Sequence, residues 1–207
     1  MGEALTYNSL LSDVQLYAER NDEPFITQRP RFVMLAENRL ASEVRGLGIQ
    51  KFVTGNLSSP VLEKPQRWRE TVSFGVVLGG ERVYLQQRTY EYCREFSNGS
   101  NGTSPRYYSD YGYEHFYVTP VTGSVAFELA YYERPEPLST TNQTNWITQY
   151  SPQLLLYATL LEAQPFLKRP ERIAEFQAMY DRALQGLAQE TTRRIGSDRA
   201  STTRTGE

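Results

Sequence analysis

One histidine, His115, and one cysteine, Cys93, are the only imidazole and thiol in 207 residues. That scarcity decides most of the chemistry. A zinc centre needs several His, Cys or carboxylate ligands at close spacing, and the chain has no Cys-x-x-Cys or His-Glu-x-x-His run. A serine triad would have to use His115, which sits between Glu114 and Phe116, and no Gly-x-Ser-x-Gly elbow is present. Gly79-Gly80 is followed by a strand-like run rather than by a helix opening with Lys-Ser or Lys-Thr, so no phosphate cradle is expected. Asp110 and Glu114 form a carboxylate pair of a kind that arises by chance at this charge density, in a turn-rich stretch. No catalytic, cofactor or metal residue is assigned. These residues argue against an enzyme and towards an interaction protein.

Two other groups carry interaction chemistry. Tyr107, Tyr108, Tyr111, Tyr113, Phe116 and Tyr117 form an aromatic run whose rings could stack on sugars or bases. Nucleic acid would ask for interleaved cations, and Arg106 stands alone against Asp110 and Glu114. Alternating aromatics in strands serve sheet packing or a subunit interface more often. Residues 193–207 place Arg193, Arg194, Arg199 and Arg204 among Ser, Thr and Gly, with Ile195 almost the only apolar side chain. Such a segment cannot fold on its own. It is either a frayed tail or a peptide that orders when it docks on a partner.

A net charge of −2 gives no global pull towards nucleic acid or an anionic membrane. A single cysteine excludes an intrachain disulfide framework. No apolar run approaches the roughly 18 residues of a membrane span, and the first residues lack a secretion pattern, so a soluble protein made in the cytoplasm is expected. Met1-Gly2 with Thr6 meets the loose myristoylation pattern only by its shortness. The Asn-x-Ser/Thr triplets at Asn56, Asn98, Asn101 and Asn142 read as turns.

The elements that position these groups follow from periodicity. Residues 145–187 hold two helices: an apolar one opened by Ser151-Pro152, with Ser151 as the expected side-chain cap, and a second started by Pro170. In the second, Ile173, Phe176, Tyr180, Ala183, Leu184 and Leu187 make one stripe. Residues 7–20, capped near Thr6 or Asn8, and residues 25–44, with an early Pro30, give two more helices. Glu37, Arg39, Glu43, Glu171, Arg172 and Glu175 lie off the stripes. The period then changes. Strands are expected at 49–56, 69–77, 81–86, 113–121 and 124–132, with Gly79-Gly80 as a hairpin turn, a short helix at 90–96 and an exposed loop at 97–105. The fold class is α+β, a four-helix core built from both chain ends with an inserted antiparallel β-unit of four or five strands. The expected domains are 1–47 and 143–192 for the helices, 48–142 for the insertion and 193–207 for an extended C-terminal tail.

The blocks Pro24-Phe25-Ile26 through Phe32, Leu35-Ala36-Glu37 and Arg39-Leu40 to Glu43, and Asn145-Trp146-Ile147, Tyr150-Ser151-Pro152, Leu154 to Ala158, Leu160, Glu162-Ala163, Phe166-Leu167, Tyr180 and Ala183-Leu184, resemble the head-to-tail adaptor (connector) family of tailed bacteriophages. The likeness covers both helical ends, somewhat under half of the chain, and consists of packing patterns. It implies a structural virion protein without catalysis or cofactor, made in the host cytoplasm and placed at the head-tail junction. As homo-oligomer, such a protein forms a dodecameric ring that joins the portal protein above to a nozzle or tube protein of the tail below. DNA passes through the channel without sequence-specific binding, and no membrane is involved. By the same resemblance Arg193, Arg194, Arg199 and Arg204 belong to a portal-binding tail. Tyr107, Tyr108, Tyr111, Tyr113 and Phe116 are then candidates for a subunit or tail interface, and the off-stripe helix charges for ring closure. The alternatives are a carbohydrate- or receptor-binding module using the tyrosine-rich insertion, and a DNA-binding protein using the arginines.

Overall fold

A computed structural model of the chain describes residues 5–98 and 102–201. It is a mixed α+β protein. In chain order its elements are α1 (Tyr7–Ala18), α2 (Glu23–Glu43), β1 (Gln50–Leu57), β2 (Val61–Glu63), β3 (Trp68–Leu78), β4 (Glu81–Tyr84), β5 (Gln86–Gln87), α3 (Tyr90–Asn98), β6 (Tyr107–Tyr111), β7 (His115–Thr119), β8 (Val125–Glu133), α4 (Trp146–Tyr150), α5 (Pro152–Leu167) and α6 (Ile173–Ser201). Two compact units result: one from the chain ends, up to Ile49 and from Pro135 onward, the other spanning Gln50–Arg134.

In the helical unit α5 is the central element, packed against α1, α2, α4 and α6. Nine of its 16 residues are buried, which is what an almost continuous apolar run requires of a helix. Phe25 and Phe32 of α2 close on Phe166 of α5 with ring centroids 6.1 and 5.7 Å apart. Thr6 caps α1, accepting from the Ser9 N–H while the Ser9 hydroxyl takes the Thr6 N–H. Ser151 departs from expectation. Its side chain makes no capping bond: its ψ of 52° lies outside the extended range that aims an N-cap hydroxyl at the first helical N–H groups, and its own N–H closes α4 on the Ile147 carbonyl. The cap of that region is Asn145, whose Oδ1 accepts from the Ile147 and Thr148 N–H groups.

The expected extended tail is also corrected. Helix α6 continues without interruption through Gly186 and as far as Ser201, so Arg193, Arg194 and Arg199 lie on helix. Arg204 falls outside the described residues. Leu187 and Thr191 stay half-buried against the unit, and from that purchase the helix propagates at little further cost in nucleation.

Among the described residues the β-unit holds eight strands in two four-stranded sheets, where four or five strands were expected. One sheet runs β1-β8-β3-β4, the other β2-β7-β6-β5. All pairings are antiparallel except the two-residue pairing of β5 with β6. The inward faces share one core, in which Phe74 of β3 meets Tyr108 of β6 at 5.2 Å and Phe116 of β7 at 5.5 Å. Gly79 and Gly80, both with positive φ (59° and 90°), make the β3–β4 turn that their sequence announces. Leu85 then carries the chain from the first sheet to the second, its N–H bonded to the Phe74 carbonyl. Strands β7 and β8, adjacent in sequence, belong to different sheets.

Candidate docking surfaces

Helix α6 is anchored by Phe176 and Tyr180, at 5% and 1% exposure, and from Asp181 to Arg194 its side chains are half-buried at most. Between its middle turns and the start of α5 lies a groove of about 760 Å³, lined by Tyr150, Tyr157, Met179, Arg182, Leu187 and Glu190. It adjoins a second hollow at Gly48, Trp146, Thr191 and Arg194. Trp146 stacks on Tyr150 at 5.6 Å. Arg193 and Arg194 are exposed, and the Arg194 guanidinium takes Glu190 at 2.6 Å one turn back. This end of α6 thus offers cations beside an aromatic and apolar hollow.

The off-stripe charges are largely engaged within the helical unit, although Glu43 stays exposed and Arg39 half-exposed; only Glu37 is drawn well into it. Arg39 bonds Glu162 of α5 at 2.6–2.7 Å. Glu43 accepts from the Tyr180 hydroxyl at 2.6 Å. Glu37 Oε1 accepts from the Leu138 N–H at 3.0 Å and from Asn145 Nδ2 at 3.2 Å, and burial pushes the pKa of its carboxyl up to about 7. An apolar stripe predicts the buried arc of a helix, but long side chains at its margin reach groups on neighbouring helices. Arg172 likewise ties the α5–α6 turn to α1 through the Tyr17 carbonyl and Glu19.

The tyrosine-rich run divides by face. Tyr108 and Phe116 lie inside the β-unit core, at 6% and 0% exposure, and are therefore not interface residues. Tyr107 packs edge-on against Tyr92 and Phe96 of α3, with the Arg88 guanidinium 5.7 Å over its ring. Tyr111 stacks on Tyr90 at 5.1 Å while remaining 45% exposed. Tyr113, in the β6–β7 turn, is 98% exposed, the most open ring of the run. Helix α3, which the sequence did show, covers faces of Tyr107 and Tyr111 that sugar stacking could have used.

His115 opens β7 opposite Glu63 and Tyr111. Cys93 is buried in α3, and that burial raises its thiol above the usual range. Sequence reading missed Lys64. Its side chain is 4% exposed and its Nζ sits 3.9 Å from the Trp68 ring centre, bonded to Asp110 at 2.6 Å and the Gly112 carbonyl at 3.3 Å. No local pattern marks it, since Lys64 and Asp110 are far apart in sequence. It is a packing device of the insertion, holding the β6–β7 turn.

The arrangement thus combines exposed aromatic and basic surfaces, internal ion pairs and a helical frame drawn from both chain ends. The model of the SU10 adaptor protein family matches residues 5–205, and the chain belongs to that family of phage adaptors. No curated protein matches it. No helix among the described residues is long and apolar enough to cross a membrane.

Proposed function

We propose that the protein is a head-to-tail adaptor that assembles as a dodecameric ring between the portal and the tail and continues the channel for DNA exit. The family match over residues 5–205 carries this reading. Ring closure needs a heterologous interface, in which one face of each copy fits a different face of the next. The basic end of α6, with Arg193 and Arg194 exposed, is the portal-facing element. Its guanidinium groups suit charge-assisted bonds to carboxylates of an acidic portal groove. Arg199 and Arg204 follow in the same basic sequence segment. The β-unit, with Tyr113 in its β6–β7 turn, faces a neighbouring copy or the tail protein below.

Purified protein mixed with portal and imaged should give rings stacked coaxially on the portal. A chain ending before Arg193 keeps both buried anchors of α6 and should fold, yet lose portal attachment. Retained attachment would move the docking to the body of the helical unit. A channel wall must let DNA slide, so binding to duplex DNA should be weak at physiological salt. Tight binding falling steeply with salt would instead indicate a DNA-binding protein.

A further inference from the structure

Among the described residues, both edges of the β1-β8-β3-β4 sheet lack a partner strand within the β-unit. The edges of the other sheet are blunt, since β2 has three residues and β5 two. In contrast β1 is eight residues long, and its Phe52 is 62% exposed. Long open edges bearing an apolar side chain are a liability that proteins cover. At the opposite edge, all four residues of β4 are exposed, with Tyr84 at 61%.

We infer that β1 of one copy pairs antiparallel with β4 of the next, joining these sheets into one continuous sheet around the ring. The inference rests on the ring reading above. Four antiparallel strands make β1 and β4 run in opposite directions, so a neighbour related by a rotation about an axis along the strands adds β1 to β4 in the antiparallel sense. The faces also agree. Phe74 and Val76 point into the core, so Val83, opposite Val76, faces inward and Tyr84, opposite Gly75, faces outward. In β1, Val53 packs on the core side and Phe52 alternates outward. Setting Phe52 opposite Tyr84 therefore sets Val53 opposite Val83 and Thr54 opposite Arg82. Both exposed aromatics then share one face and both valines extend the core. A slip by one residue would place each apolar side chain on the wrong face. Within one copy the row of Tyr84 passes through Gly75 and Glu128 to Thr54. The pairing thus staggers each copy by two residues, an even shift of the kind a tilted, closing sheet requires.

The test mixes two preparations, Thr54→Cys and Arg82→Cys, and adds a short bis-maleimide cross-linker to the assembled ring. A cross-linked dimer in the mixture, absent from either preparation alone, is expected. Phe52→Ser should weaken self-association roughly tenfold while leaving the thermal midpoint of the dissociated chain unchanged. Self-cross-linking of Thr54→Cys would mean symmetric β1–β1 pairing, and rings without the mixed product would mean closure through other faces. Either overturns the edge pairing and leaves the ring intact. A chain that stays monomeric with portal present removes the ring itself.

Discussion

The Tyr180 hydroxyl donates to Glu43 Oε2 at 2.6 Å, joining α6 to the last turn of α2. The ring is 1% exposed and the Arg39 guanidinium lies 5.8 Å over it. Burial, with Glu43 beside it, drives the phenol well above its usual range, so it stays a donor at all physiological pH. Tyr180→Phe keeps the packing and removes the bond, at a cost of about 1 kcal/mol. Tyr180→Ala also empties the site and should cost about 3–5 kcal/mol. Urea unfolding of both variants checks the difference. Equal losses would mean that the ring contributes nothing beyond its hydroxyl.

Glu37 makes stability fall as pH rises. Its folded carboxyl titrates at about 7, raised from an ordinary carboxylate by burial and only partly offset by the Leu138 and Asn145 bonds. A group raised on folding contributes stability that is complete below its unfolded value and is lost as pH climbs through the folded one. The helical unit should therefore melt at higher temperature near pH 5 than near pH 8. Glu37→Gln can still accept both bonds through its amide oxygen. It should raise the pH 8 midpoint by a few degrees and flatten the profile. A variant that melts lower than the parent at pH 8 would show that the charged form is the one the site favours.

Lys64 and Asp110 should respond unequally to mutation. The lysine side chain is 4% exposed and the aspartate 46%. Lys64→Met leaves an aspartate that water can reach and puts an apolar chain against Trp68 and Phe116, so the change should be small, about 1 kcal/mol or less. Asp110→Ala leaves a buried ammonium without its carboxylate and should cost several-fold more, about 3 kcal/mol. Chemical denaturation of the two variants side by side decides it. The reverse order would mean that the aromatic contacts of Lys64 outweigh its ion pair.

A Cβ at Gly48 would fall 1.9–2.2 Å from three atoms of the Trp146 indole. Gly48→Ala must displace that ring, and with it the stack on Tyr150 that lines the hollow beside α6. A red-shifted tryptophan emission and a loss of about 1–3 kcal/mol are expected. Unchanged emission would place the indole elsewhere in solution.

The chain ends were legible because a 3.6-residue period over 12 to 29 residues leaves one helical answer, and Gly79-Gly80 declared its hairpin because few residues tolerate two successive positive φ values. The same stripes concealed Glu37, Arg39 and Glu43, whose partners Asn145, Glu162 and Tyr180 lie more than a hundred residues away. Compositional polarity suggests an extended tail from Arg193 onward, but α6 has already formed by that point and simply continues.

Sequence alone determined α1, α2, α3, α5 and the start of α6, the glycine turn, the class of fold and, through its packing blocks, the adaptor family, all of which depend on local periodicity and backbone preference, but not the short α4 or the reach of α6. Tertiary structure decided that the insertion folds as two sheets, that Tyr108 and Phe116 are core while Tyr113 is surface, and that Lys64 is enclosed. Those outcomes turn on which strand lies beside which. Pairing between distant segments is selected by the fit of whole faces, and a three-residue strand such as β2 carries too little pattern to announce its partner.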